Sequence, residues 1–285
     1  MTSSAVLPAP TGAAVRNPAV AGRILRAGAA LCFIGHGAFG LITKEAWLPY
    51  FGVAGIPAST AWQLMPWIGA VDVLAGMAVL FAPRRIPLFY MVLWGFWTAL
   101  LRPLAGEPLF EAVERAGNFG VPLALLLLAG WPLPSWRQSI VEVLDGPRSD
   151  ARTLARVRNV LQWTTCLLLG GHGALGILGK PALTAHYAAI GLSPAATPFV
   201  GWFEIALAIA VAVRPTLALL LFVAGWKLAT ESLFLVAGSP VWEVLERAGS
   251  YAAPLAMAVI VSEVRLLPLL RVPRNAVRHI VDLPW

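Results

Sequence analysis

Two histidines stand in repeated, strongly apolar surroundings. His36 lies in Leu31-Cys32-Phe33-Ile34-Gly35-His36-Gly37-Ala38-Phe39-Gly40, and His172 in Leu167-Leu168-Leu169-Gly170-Gly171-His172-Gly173-Ala174-Leu175-Gly176. A second apolar run after each carries one acid, Asp72 in Ile68-Gly69-Ala70-Val71-Asp72-Val73-Leu74 and Glu204 in Val200-Gly201-Trp202-Phe203-Glu204-Ile205-Ala206. An imidazole beside a carboxylate can hold or pass a proton, or hydrogen-bond a small ligand. The plainer role is to tie two helices together. At about 1.5 Å of rise per residue, each histidine and its acid come to similar depths in their helices. A His36–Asp72 pair and a His172–Glu204 pair are therefore expected.

Further ionisable groups follow in the same order in both places. A third apolar run holds Arg102 in the first copy, and Lys227 and Glu231 in the second. A fourth opens with Glu114-Arg115 and again with Glu246-Arg247. An ionised group at a bilayer centre costs about 2.5–3.5 kcal/mol. Asp72, Glu204, Lys227 and Glu231 must then face the interior and find partners, and Lys227 and Glu231 are spaced to pair on one helix face. The candidates for ligand binding or proton handling are His36, Asp72, Arg102, Glu114, Arg115, His172, Glu204, Lys227, Glu231, Glu246 and Arg247. Lys44 and Lys180 end two stripes of four-residue spacing, Gly28, Cys32, His36, Gly40, Lys44 and Thr164, Leu168, His172, Gly176, Lys180. They are outer-edge candidates. Bland roles compete: Asp72 and Glu204 as structural partners of the histidines or of Arg115 and Arg247, and the Glu-Arg pairs as dipole and interface anchors.

The elements that must position these groups are long apolar helices. The chain is 59% hydrophobic and 12% charged, against about 25% charged in a soluble domain, and its mean hydropathy is +0.76. This is the composition of an integral membrane protein. Apolar runs cover residues 24–43, 61–82, 86–106, 117–132, 160–179, 198–213, 216–238 and 249–264, long enough to read as transmembrane helices. His172 follows His36 by 136 positions and Glu246 follows Glu114 by 132, so a whole unit is duplicated. The expected fold is all-α, with eight transmembrane helices in two four-helix-bundle repeats. An even number of spans per unit gives both the same orientation. The expected organisation is a disordered N-tail over 1–20, one repeat over 21–135, a linker over 136–157, the second repeat over 158–268 and a C-tail over 269–285.

Arginines cluster before the first span, between the second and third, in the linker, after the sixth span and after the eighth. All fall on one side, so the basic-residue rule places both termini in the cytoplasm. The net charge of +7 thus reflects topology and contact with anionic lipid, and does not suggest nucleic acid. The first twenty residues lack an apolar h-region and read as a tail, not a cleavable signal. Cys32 and Cys166 are not equivalent positions and form no C-x-x-C, so neither a dithiol nor a metal site is expected. Trp47, Tyr50, Trp62 and Trp67 fit an aromatic belt. The stretch 106–115 and its copy 238–247 read as a short interfacial helix or an extension of the fourth span.

The four-span unit resembles the DoxX-like (DoxX/DoxD) membrane proteins. The resemblance rests on Gly35-His36-Gly37, Gly40, Lys44, Asp72, Pro83-Arg84-Arg85 and Trp94 with Thr98. In the second copy it rests on Gly171-His172-Gly173, Gly176, Lys180, Glu204, Arg214-Pro215 and Trp226 with Thr230. Such proteins are usually single units, so a fused pair is a departure. The resemblance implies an inner-membrane component of a bacterial-type cell, associated with redox systems and with other membrane redox subunits. It admits a quinone as cofactor; a haem bridging His36 and His172 is the other cofactor considered. The competing functions are a small-solute or ion transporter, and a non-catalytic assembly scaffold. In each case the polar groups are expected to line an outward-facing cavity, one per unit or one shared.

Overall fold

The computed structural model describes residues 18–130, 135 and 150–262. Most of the expected N-tail and linker and all of the C-tail lie outside the described residues; residues 18–20 and 151–157, given to tail and linker, are helical, in α1 and α7. Every regular element among those described is helical: α1 (Pro18–Leu41), a 3-10 turn (Glu45–Trp47), α2 (Leu48–Val53), α3 (Ala58–Phe81), α4 (Arg85–Leu104), α5 (Leu109–Val113) and α6 (Ala116–Leu128) come first. They are followed by α7 (Ala151–Ile177), α8 (Pro181–Ala188), α9 (Ala196–Val213), α10 (Leu217–Val236), α11 (Trp242–Glu246) and α12 (Ala248–Val261). The order of long, short and intermediate helices runs through twice.

Local chemistry sets the ends. Asp150 caps α7 by accepting from the Thr153 N–H at 2.8 Å, and Thr216 caps α10 by accepting from Leu219 at 3.3 Å. Gly106 and Gly238 stand at φ +93° and +83° before the two five-residue helices, a left-handed conformation that favours glycine. The stretches 106–115 and 238–247 are thereby separate short helices, α5 and α11, not extensions of the spans that follow.

Four helices, α1, α3, α9 and α10, are long and apolar enough to cross a bilayer. A fifth crossing appears if α7 and α8, bent by 86° at their junction, are one span. Their outer faces suit hydrocarbon: Trp67 is 75% exposed, and Leu74, Phe81, Phe199, Ile209 and Val213 are also open to the surroundings. So many large apolar side chains left exposed are unusual for a water-facing monomer.

Glycines bring the helices together. A Cβ on Gly69 of α3 would lie 2.6 Å from the Leu41 nitrogen, and one on Gly201 of α9 would lie 2.8 Å from that of Ile177. α1 thus packs on α3, and α7 on α9, at backbone contact. The second set of contacts crosses between the halves. α1 packs on α11 and α12, and α7 packs on α5 and α6. A Cβ on Gly35 would meet the backbone of Glu246 and the Trp242 carbonyl, and one on Gly171 would meet the Glu114 backbone. Gly117 of α6 and Gly249 of α12 face each other directly, leaving no room for a Cβ on either. Each half thus lays its Glu-Arg corner against the histidine helix of the other.

Candidate functional site

The expected His–carboxylate contacts both occur. Asp72 Oδ2 lies 2.8 Å from His36 Nδ1, while Tyr90 donates to Asp72 Oδ1 at 2.7 Å and the Trp94 indole N–H lies 3.3 Å from Oδ2. Asp72 is fully buried, and these donors supply the partners a buried carboxylate requires. Glu204 takes His172 Nδ1 and, at 3.0 Å, the Trp226 indole N–H. The position equivalent to Tyr90 is Phe222, which cannot donate. Lys227 approaches instead, its Nζ 3.6 Å from Glu204 Oε1 and 3.0 Å from Glu231 Oε1, at angles that give no directed hydrogen bond. Neither Arg115 nor Arg247 reaches Asp72 or Glu204 among the described residues.

The Glu-Arg corners carry the rest of the charge. Arg115 Nη1 bonds Glu114 Oε1 at 2.6 Å and Glu111 Oε2 at 3.2 Å. Lys180, from the other half, completes this group at 2.8 Å from Glu111 and 3.5 Å from Glu114. In the second corner Lys44 reaches across to Glu243 at 2.7 Å. Arg247 pairs with Glu243 at 2.5 Å and with Glu231 at 3.3 Å. Lys44 and Lys180, expected at the outer edge, are thus ion-pair bridges between halves.

Around His36 these elements enclose a cavity of about 140 Å³. Its walls are Trp47, Tyr50, Phe51 and Ile56 on one side and Trp94, Trp97, Thr98 and Leu101 of α4 on the other, with Ile68 of α3. Arg102, Arg115, Asn118 and Glu246 supply its polar lining. Trp47 stacks on the His36 ring, centroids 4.6 Å apart and planes 25° from parallel. With Nδ1 turned to Asp72, Nε2 is the ring nitrogen left for a ligand. Arg102 is held by the Tyr50 hydroxyl at 2.9 Å and by Glu107 at 3.2 Å. Tyr50 itself donates to Glu107. Burial pushes the Tyr50 phenol up to about 12 against the pull of Arg102, so it remains a donor at neutral pH.

The corresponding space around His172 is about 20 Å³, room for little more than one water. Lys227, which stands at the position of Gly95, fills it and is 1% exposed. Phe234 stands where Arg102 does, with His186 against its ring at 4.1 Å and the Arg247 guanidinium 3.9 Å from its centroid. The two spaces adjoin: Arg115, Asn118 and Glu246 line both.

Two expectations need correction. Trp47 and Tyr50, assigned to an aromatic belt, turn inward. Trp47 is 7% exposed, because the short helix α2 folds back over the histidine. Trp62 and Trp67 do face outward. Glu107, Glu111, Glu243 and Tyr90 also belong to the site, beyond the residues the sequence singles out. Glu111 and Glu243 are kept in both copies of the Glu-x-x-Glu-Arg pattern, a signal present in the sequence. Tyr90 and Glu107 have no counterpart and gave none. His36 lines the larger space and His172 the smaller, each engaged by its own acid, an arrangement unlike a shared haem. Among the described residues no three His, Cys, Asp or Glu side chains converge as a metal site requires.

No protein-family model, curated protein or solved structure matches the chain. The fold and site define an all-helical protein with several helices suited to a bilayer and a buried, aromatic-walled polar cavity.

Proposed function

We propose that the chain is a DoxX-like membrane protein of two parallel four-span units, eight crossings in all, with both termini cytoplasmic. Its first unit holds a working ligand site that opens on the outer side, at the end carrying the short helices. The second unit keeps the frame with its site filled. The role this supports best is that of a quinone-interacting, redox-associated membrane subunit. The observation that carries it is the cavity beside His36. Its walls are rings suited to a flat, lipid-borne molecule, and a histidine fixed through Nδ1 leaves Nε2 to accept from a quinol hydroxyl when neutral or, as the imidazolium, to donate to a quinone carbonyl. The test is quenching of tryptophan fluorescence when decylubiquinone is added to the purified chain in nanodiscs. Saturable quenching that is lost in His36→Ala, with the variant still folded, is the expected result. Quenching identical in wild type and variant rules this reading out.

A second reading, a small-solute transporter, is favoured by one feature. The cavity adjoins the small polar space of the other half through Arg115, Asn118 and Glu246, so the charged interior is continuous in lining from one half to the other. Uptake into proteoliposomes that Asp72→Asn abolishes would support it over the redox role.

A further inference from the structure

The Glu246 side chain sets the cavity apart from an ordinary apolar pocket. It is 5% exposed and lines the space beside His36. Among the described residues no hydrogen bond or ion pair reaches its carboxylate. Its counterpart Glu114 is held by Arg115 at 2.6 Å and by Lys180 at 3.5 Å. The difference arises in the rewritten third long helix of the second half. Glu231 stands at the position of Ala99, and it draws Arg247 to itself and to Glu243. Lys44 is likewise taken by Glu243. The other cations of the cavity are occupied as well, Arg102 by Glu107 and Arg115 by Glu111 and Glu114. Against its burial, the charges of Arg247, Lys44, His36 and Arg115, acting from beyond ion-pair distance, hold the Glu246 carboxyl below the usual carboxylate range. It is therefore ionised, and without a contact partner it can accept from a cationic group entering the cavity.

We infer that the first-half cavity binds a lipophilic amine, whose ammonium is taken by Glu246 and whose apolar body lies among Trp47, Trp94 and Trp97. This rests on the cavity being a ligand site, and it extends the ligands of that site from a neutral quinone beside His36 to a cationic amine held by a different group, Glu246. Aromatic rings beside a carboxylate are the surroundings that organic cations favour. The chain places its own cations in the same way. The Lys44 ammonium sits 3.7 Å from the Phe39 ring centroid, and the Arg247 guanidinium sits 3.9 Å from that of Phe234. The second half shows an ammonium already inside the frame: Lys227, buried between Glu204 and Glu231. There the amine is tethered and the space is closed. In the first half Gly95 removes the tether, and the space is open.

The test uses 4-phenylbutylamine and its neutral analogue 4-phenylbutan-1-ol, titrated calorimetrically into the full chain in nanodiscs, with empty nanodiscs subtracted. Decylubiquinone is measured in parallel. Expected are amine binding tighter than alcohol binding, and amine affinity about tenfold weaker in Glu246→Gln, the scale of one charge-assisted hydrogen bond. The alcohol should be indifferent to that change, and Glu246→Asp should recover part of the loss. Amine affinity equal in wild type and Glu246→Gln overturns the assignment. So does alcohol binding as tight as amine binding. If the quinone binds and the amine does not, the ligand class is overturned while the cavity reading stands. If no probe binds, both fall.

Discussion

Arg247 Nε lies 3.3 Å from Glu231 Oε2, an ion pair within the second half beside a carboxylate that lines the cavity of the first. Glu231 belongs to the half whose site is filled. By holding Arg247 it leaves Glu246, a residue of the same half, without a contact partner where it lines the open cavity of the other half. A substitution outside the cavity should therefore alter ligand affinity inside it. In Glu231→Gln the attraction weakens and Arg247 can turn to the neighbouring Glu246, as Arg115 turns to Glu114. Affinity for 4-phenylbutylamine should fall by about threefold to tenfold, within the range of coupling between contacting residues. Calorimetry of the variant checks this, and an unchanged affinity would show that Arg247 does not respond.

Lys227 should matter to stability more than to binding. It is buried between two carboxylates. Removing its charge in Lys227→Met leaves two buried acids facing one another, Glu204 with only His172 and Trp226 and Glu231 with only Arg247, at a cost of about 3–5 kcal/mol. Replacing both members, Lys227→Met with Glu231→Leu, removes the lone charge along with the pair and should recover much of the loss. Thermal unfolding in detergent should rank the single variant lowest. If the double variant unfolds below the single, the pair is not the reason Lys227 is there.

The histidines should separate in the same way. His36 lines the open cavity and carries the Trp47 stack, while His172 faces a space of about 20 Å³. His36→Ala should weaken any cavity ligand by about tenfold, the cost of a lost hydrogen bond to a charged or polar group in a dry site. His172→Ala should leave that affinity within about twofold and lower the unfolding temperature instead, since Glu204 loses its short contact with the imidazole. Equal loss of binding in both would mean that the halves share one site.

Much of this was legible in the residues. The His–acid pairs follow from repeat spacing and helix depth, because a long helix fixes axial position by arithmetic alone. The internal Lys227–Glu231 pair follows from four-residue spacing. What was hidden depends on lateral packing, which periodicity does not encode. A tryptophan at the end of a span reads the same whether it meets lipid or, like Trp47, an imidazole. The exchange of corners between halves was hidden for a similar reason. Gly35 and Gly171 announce close packing, but nothing in their type says that the backbone they meet is Glu246 or Glu114, more than fifty residues away. The free state of Glu246 needed both pieces, the exchange and the altered third helix.

The bridges between halves should be modest energetically. Lys44 and Glu243 are 2.7 Å apart, but their side chains keep 29% and 13% of their exposure. Partly exposed pairs contribute about 1 kcal/mol or less. A double-mutant cycle on Lys44→Met and Glu243→Gln, read by chemical unfolding, should return a coupling of that size. A coupling several times larger would make this pair, and not the glycine contacts, the main join.

The eight-crossing topology makes a prediction of its own, because two of its spans are short. α6 has 13 residues, about 20 Å of helix at 1.5 Å per residue, against a hydrocarbon core of about 30 Å. It can complete a crossing only with α5 standing at one membrane face and the chain beyond Leu128 at the other. Residues 45 and 109 should then lie on one side, and residues 150 and 214 on the opposite side. Single cysteines placed by Glu45→Cys, Leu109→Cys, Asp150→Cys and Arg214→Cys, in a chain lacking Cys32 and Cys166, test this directly. In right-side-out vesicles an impermeant maleimide should label the first two at once, and the last two only after permeabilisation. Labelling of 109 and 150 from the same side would mean that α6 returns without crossing. The parallel arrangement of the two units would then fail, because the second would begin on the wrong face.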